Sequence, residues 1–222
     1  MSGIKGYIFD LDGVIVDTTR YHYNSWRKLA NKLGFDITEE QNENLKGVSR
    51  KESLEYVLDI GKMTFSAKEH VRMSELKNKW YIESISGIDS SQLLPGVKNL
   101  LEDIKNLGFS ISLGSASQNS VRILEATGVI GLFDAIIDAT ITTKSKPHPQ
   151  VFEMGAEALG LDPSECVVFE DSINGIKSAN TGGFISIGVG SAEILHEADF
   201  VLPDLDGVTV ASVVEQVMNL RR

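Results

Sequence analysis

The chain of 222 residues contains a single cysteine, Cys166, which excludes an intrachain disulfide and any multi-cysteine metal site. Histidine is scarce too: four residues at scattered positions, with no zinc-ligand spacing. Basic residues are outnumbered, 21 Lys and Arg against 31 Asp and Glu, and a formal charge of −10 leaves no basic footprint for nucleic acid. A local metal or a few cations can still override that sign for a small phosphorylated ligand. No apolar run reaches the ~18 residues of a membrane span, so no membrane partner is expected. The N-terminal Met1-Ser2-Gly3-Ile4-Lys5-Gly6 lacks the charged region and long apolar run of a signal peptide, and a cytoplasmic location is expected. With 20 Gly and 5 Pro the chain is neither collagenous nor of low complexity.

What remains is ordinary globular composition, in a chain long enough for one large domain or two unequal ones. Six short apolar runs stand out: Tyr7–Phe9, Ile111–Leu113, Ala135–Ile137, Cys166–Phe169, Phe184–Ile187 and Phe200–Leu202. Helix-period stretches separate them. Val97, Leu100, Leu101, Ile104 and Leu107 share one helical face, and Val151, Phe152, Gly155, Ala156 and Leu159 repeat the pattern. This alternation predicts an α/β fold, a doubly wound parallel sheet flanked by helices. Residues 18–87 break the rhythm and predict an all-helical insert. Tyr23, Trp26, Leu29, Ala30 and Leu33 form one face, Thr38/Gln41 and Ser66/Glu69 have capping-box spacing, and Met73, Leu76 and Trp80 mark a longer helix. The α/β part would then comprise residues 1–17 and 88–222.

In an open parallel sheet, ligands bind beyond the carboxyl ends of the strands. Four predicted strand ends carry reactive groups there: Asp10 and Asp12 before Gly13, Ser115, Lys146, and Glu170 with Asp171. Each has an ordinary reading on its own: an Asp-Gly turn, a loop serine, a solvated lysine, a helix cap at Asp171. Together they place carboxylates, a hydroxyl and a cation around one crevice. Carboxylates so close repel unless a proton or a cation intervenes, which points to a metal site or to one protonated acid.

Asp10-Leu11-Asp12-Gly13-Val14, Ser115-Ala116-Ser117, Lys146-Pro147 and Glu170-Asp171-Ser172 resemble the four motifs of the haloacid dehalogenase superfamily of phosphotransferases, in order and across the whole chain. The helical insert resembles that superfamily's small cap. A closer resemblance, to the beta-phosphoglucomutase family, rests on Asp17–His22, Trp26, Leu45-Lys46-Gly47-Val48-Ser49-Arg50, Lys77–Tyr81 and Ser115–Asn119. It implies that Asp10 is a nucleophile forming an aspartyl phosphate and Asp12 the general acid and base. It further implies a Mg²⁺ ion held by Asp10, Glu170, Asp171 and the Asp12 carbonyl. Ser115, the Ala116 amide and Lys146 would hold the transferring phosphoryl group. Arg50, with Ser117 and Asn119, would grip the distal phosphate, because a guanidinium binds phosphate bidentately. His22, Trp26, Lys46, Gly47, Val48, Ser49 and Lys77 would complete the substrate site, and Asp17 and Thr18 the hinge.

Ordinary readings stay open for several of these. Arg50 could pair with Glu52 or Glu55, His22 could pack against its neighbours, Lys77 could be solvated, and Trp26, Tyr23, Trp80 and Tyr81 have the spacing of cap core. His70, His148 and His196 read as structural, and Cys166 as a small buried hydrophobe. Two positions depart from the family pattern: Gln150 stands where Asp is frequent in the third motif, and Gln118 where Lys is frequent. The implied partner is a small sugar phosphate, handled by a monomer. The expected reaction interconverts beta-D-glucose 1-phosphate and glucose 6-phosphate. The rivals are a sugar-phosphate phosphatase on the same scaffold and a non-catalytic sugar-phosphate binder.

Overall fold

The six apolar runs form one parallel sheet in a computed structural model that describes residues 3–220; Met1 and Ser2, the start of the N-terminal stretch read above, lie outside the described residues. The strands are β1 (Gly6–Phe9), β2 (Ser110–Gly114), β3 (Ala135–Ile137), β4 (Cys166–Glu170), β5 (Ile185–Val189) and β6 (Phe200–Leu202), in the spatial order β3-β2-β1-β4-β5-β6. Tyr7 lies opposite Ile111 and Val167, and Phe9 opposite Leu113 and Phe169. Side chains alternate across a strand, so Tyr7, Phe9, Leu113 and Phe169 face one layer of helices while Ile8, Val168 and Cys166 face the other. Both faces are covered, which is why these strands are near-continuous apolar runs rather than alternating ones.

One layer comprises α5 (Val97–Asn106), α6 (Ser120–Thr127) and α9 (Val210–Leu220); the other comprises α7 (Gln150–Leu159) and α8 (Ile173–Thr181). Helix α5 buries Val97, Leu100, Leu101 and Ile104, but Leu107 is 57% exposed. It sits at the C-cap, where the helical period no longer governs direction, so its predicted place on the buried face is corrected.

Between β1 and α5 the chain forms α1 (Thr19–Leu33), α2 (Glu39–Glu43), α3 (Arg50–Ile60) and α4 (Ala67–Ser84), with no strand among them. Trp26, Leu29, Ala30, Leu54, Val57 and Met73 make their own apolar cluster. Both predicted capping boxes are present, Thr38/Gln41 and Ser66/Glu69. A third, Ser49/Glu52, opens α3; each such cap stabilises its helix by about 1 kcal/mol. Helix α4 buries Met73, Lys77 and Tyr81, one every fourth residue, while Leu76 and Trp80 are only half-buried. Its far end belongs elsewhere: Tyr81, Ile85 and Ile88 pack into the apolar cluster of the sheet, beside Val14 and Leu100. No helix among the described residues is long and apolar enough to cross a membrane.

Candidate active site

Strands β1, β2 and β4 end side by side, and the order of the sheet brings their carboxyl ends to one crevice. The Asp10 amide donates to the Phe169 carbonyl at 3.0 Å, carrying the β1–β4 pairing to the first carboxylate. Gly13 then turns the chain with φ of +89°, and a Cβ there would overlap the Asp171 carboxylate. Glycine is the one residue that suits both demands.

Lys146, 2% exposed, lies between two carboxylates: its Nζ is 2.6 Å from Asp10 Oδ1 and 2.7 Å from Glu170 Oε2. Glu170 Oε1 accepts from the Ser172 amide at 3.1 Å and the Ser172 hydroxyl at 2.7 Å, so both of its oxygens are engaged. Ser172, not Asp171, caps α8, accepting from the Gly175 amide at 3.1 Å. Asp171 is thereby free to face the crevice, where Lys46 Nζ approaches it at 3.7 Å.

Ligand oxygens of Asp10, Glu170 and Asp171 lie within 4.8 Å of one another. Burial pushes the Asp10 carboxyl up to about 7, Lys146 pulling it back and Glu170 adding to the rise. Burial also holds Asp171 well above the usual carboxylate range, with Glu170 and Asp10 adding repulsion. Burial lowers the Lys146 ammonium, but the two carboxylates outweigh it and hold the group charged. Three clustered acids against so few cations leave negative charge uncompensated, and hard oxygen donors in that number fit a divalent cation.

Gly175 makes this packing possible. It lies on α8 against Glu170, and a Cβ there would overlap the Glu170 carboxyl group. Gly175→Ala is expected to push Glu170 aside, cost about 1–3 kcal/mol in stability, and lower metal-dependent activity. A melting curve and a cation titration would check it, and unchanged values in both would remove Glu170 from the cation site.

Asp12 keeps 25% of its side chain open to the crevice. Its Oδ1 accepts from the Thr18 hydroxyl, and His22 Nε2 stands 4.0 Å away. Burial, then the neighbouring Asp10, pushes the Asp12 carboxyl up to about 7. Lys77 Nζ lies 2.9 Å from His22 Nδ1. When Lys77 is charged its ammonium only donates, so Nδ1 then accepts and the imidazole proton sits on Nε2, on the side of Asp12. Burial and the nearby Lys77 and Arg50 hold His22 neutral, well below its usual range. Lys77 is 2% exposed, which corrects the solvated reading; burial, then Arg50, lowers its ammonium to about 7. Its Nζ sits 4.6 Å from the centre of the Trp26 ring and 5.0 Å from that of Tyr81. Trp26 is both cap core and cleft wall.

The cleft is lined by Asp10, Asp12 and Asp171 below and by His22, Lys46, Gly47, Val48, Arg50 and Lys77 above, with Ala116, Ser117 and Asn119 at its side. Ser115 stands beside it, its hydroxyl accepting from the Ser117 amide at 3.1 Å. Arg50 forms no ion pair with Glu52 or Glu55; Glu52 is turned back onto Ser49. Ser49 is occupied in that cap and borders an adjoining cavity. Asp17 is exposed, whereas Thr18 is fully buried against Asp12. Thr19, Leu45 and Gln118, noted in the sequence only within motifs or as a departure, also line the cleft, and Asn42 and Ser53 do so too and were missed from the sequence. Asn42 had a signal, a polar residue four before Lys46, but burial of such a residue is visible only in three dimensions. Contacts cross the cleft: the Asn119 side-chain amide donates to Asn78 Oδ1 at 3.1 Å and that of Asn174 to the Lys46 carbonyl at 3.3 Å.

Residues 4–183 match the family of haloacid dehalogenase-like hydrolases. The chain is 36% identical over 215 residues to the beta-phosphoglucomutase of Bacillus subtilis (strain 168), covering 96% of this chain and 95% of that protein. It is 29% identical over 205 residues to hexitol phosphatase B of Escherichia coli (strain K12), covering 91% and 90%. Among solved structures it is similar to the beta-phosphoglucomutase of Clostridium difficile, with a TM-score of 0.94 and 43% identity over 97% of this chain and 98% of that one.

Proposed function

The chain belongs to the haloacid dehalogenase-like hydrolase family, and from that premise we propose that it interconverts beta-D-glucose 1-phosphate and glucose 6-phosphate. The observation that carries this reading is the cap segment Lys46–Arg50, whose Lys46, Gly47, Val48 and Arg50 line the same cleft as Asp10 and Asp12 in a chain so similar to two beta-phosphoglucomutases. Residues 18–87 act as a cap over a core of residues 1–17 and 88–222, with Asp17 and Thr18 at the hinge. The protein works as a cytoplasmic monomer.

In this reading the phosphoryl group rests on an Asp10 carboxylate oxygen. The free C6 hydroxyl of beta-glucose 1-phosphate attacks phosphorus, the Asp10–phosphorus bond breaks, and Asp12 takes the hydroxyl proton. The resulting beta-glucose 1,6-bisphosphate turns end for end. Asp10 then attacks the C1 phosphate, Asp12 returns its proton to the departing C1 oxygen, and glucose 6-phosphate leaves. A carboxyl poised near 7 suits a group that must both give and take a proton. The Thr18 hydroxyl keeps that carboxylate aimed, and His22 Nε2, 4.0 Å away and without a hydrogen-bond partner, faces it. Ser115, the Ala116 amide and Lys146 hold the transferring oxygens, and Arg50, Ser117 and Asn119 grip the phosphate at the other end. Mg²⁺ on Asp10, Glu170, Asp171 and the Asp12 carbonyl would neutralise charge on the transferring phosphoryl group. Cap contacts across the cleft exclude water, which would otherwise hydrolyse the aspartyl phosphate.

A coupled assay tests the reading. With beta-glucose 1-phosphate, Mg²⁺ and a trace of the 1,6-bisphosphate, glucose 6-phosphate should form with little free phosphate, and the alpha anomer should not react. Dominant phosphate release would replace the mutase by a phosphatase, and binding without turnover would make the chain a sugar-phosphate binder.

A further inference from the structure

Among the described residues four buried side-chain polar atoms lack a hydrogen-bond partner: Tyr7 Oη, His22 Nε2, Asn42 Oδ1 and Tyr81 Oη. Two of the four, those of His22 and Tyr81, belong to rings packed on each other, with centroids 4.1 Å apart and planes tilted by 40°. The spacing of Tyr81 suggests plain cap core, but the structure gives it another setting. It is fully buried and belongs to the apolar cluster of the sheet, although it stands on α4 one turn after Lys77. Its ring therefore meets His22 from a base fixed in the α/β part, with Lys77 Nζ 5.0 Å from its centre. The second torsion of a histidine is broad on its own, and packing against a fixed ring narrows it.

Thr18 and His22 stand four residues apart at the start of α1, where the His22 amide donates to the Thr18 carbonyl at 3.1 Å. Both side chains come to one side of the helix and reach toward Asp12, Thr18 by donating to it and His22 with Nε2 at 4.0 Å. The Tyr81 hydroxyl lies among the same groups: Asp12, Thr18, Arg50 and Tyr21 surround it. Burial, then Asp12, holds that hydroxyl well above the usual phenol range, so it keeps its proton. Thr18 gives its single hydroxyl proton to Asp12 and offers only lone pairs to a further partner. An enclosed hydroxyl left unpaired is destabilising, and phenylalanine would fill the same space without it. Packing therefore accounts for the ring of Tyr81 but not for its oxygen.

We propose that Tyr81 is a positioning residue for the acid–base group: its ring holds the His22 imidazole facing Asp12, and its hydroxyl donates to Thr18 Oγ1 as Thr18 donates to Asp12. Tyr81 is not among the residues that line the cleft, so it acts through Asp12 rather than on the substrate. The proposal rests on the reading of Asp12 as the acid and base.

Tyr81→Phe and Tyr81→Leu, each alone and combined with Asp12→Ala, test it. Consumption of beta-glucose 1-phosphate is followed, so that mutase and phosphatase turnover are both counted. Tyr81→Phe should lower kcat about ten-fold, with KM within about two-fold of native and a melting temperature no lower than native. Tyr81→Leu removes the ring as well and should lower kcat about 100-fold; should that variant unfold, the Phe variant alone decides. In the Asp12→Ala background neither change should lower the residual rate further, because the group they position is gone. Phosphorylation of Asp10 by acetyl phosphate, whose acetate departs without a proton from Asp12, should survive in the Phe variant. Native kcat in Tyr81→Phe, a loss carried by KM, or an equal loss in the Asp12→Ala background overturns the proposal. A native chain that consumes no sugar phosphate overturns the reading of Asp12 and the proposal with it, so the two failures are told apart.

Discussion

Asp10→Asn is expected to abolish turnover, by on the order of 10⁴- to 10⁶-fold in kcat, the range seen when a nucleophile is removed. An amide oxygen is a poor nucleophile and carries no charge to the cation site. The protein should remain folded. Lys146 keeps its 2.7 Å contact to Glu170, and the change removes a buried acid whose repulsion adds to the rise of Asp171. Steady-state kinetics beside a melting curve would check both halves. Appreciable activity in a folded Asn variant would sink the assignment of Asp10.

The second large effect is expected at Asp12. Asp12→Ala should lower glucose-phosphate turnover by about 10²- to 10⁴-fold, the usual contribution of a positioned acid or base. The effect should depend on the leaving group. A sugar oxygen needs a proton as it departs, whereas the acetate of acetyl phosphate leaves as a stable anion. Phosphorylation of Asp10 by acetyl phosphate should therefore survive in the Ala variant. An equal loss with both donors would mean that Asp12 shapes the site rather than moving a proton. The contacts of Asp12 with the Thr18 hydroxyl and toward His22 Nε2 make this the sharper test of the two.

Much of this arrangement was legible from residue order, for physical reasons that differ by element. The strands are doubly buried, so they appear as dense apolar runs such as Cys166–Phe169, and strand ends are where a parallel sheet gathers its reactive groups. The capping boxes are local, closed within four residues, and Thr38/Gln41 and Ser66/Glu69 formed as expected. Long-range pairings left no such trace. Lys77 and His22 lie 55 positions apart, and nothing in either neighbourhood announces a buried lysine held by an imidazole. The apolar period of α4 pointed to Met73, Leu76 and Trp80, and Met73 is buried, yet the helix buries Lys77 and Tyr81 with it rather than Leu76 and Trp80, because one face must serve a cap cluster, a polar cleft and the sheet in turn. Asp171 was open to reading as a cap because acids at helix starts usually are; Ser172 took that place one residue later.

That same helix has a mechanical consequence. Its C-terminal end is rooted beside the sheet through Tyr81, Ile85 and Ile88, while its start at Ala67 carries the outer part of the helical insert. At 1.5 Å per residue, Lys77 stands ~12 Å from Ile85 and Ala67 ~27 Å. A tilt about the rooted end acts as a lever: ~10° would carry Ala67 through about 5 Å but Lys77 through only about 2 Å, on the same helical rise. The outer end of the insert therefore travels further than the lysine beside His22 for the same tilt, so the periphery of the insert and the proton-transfer groups are geared at different ratios by a single rod.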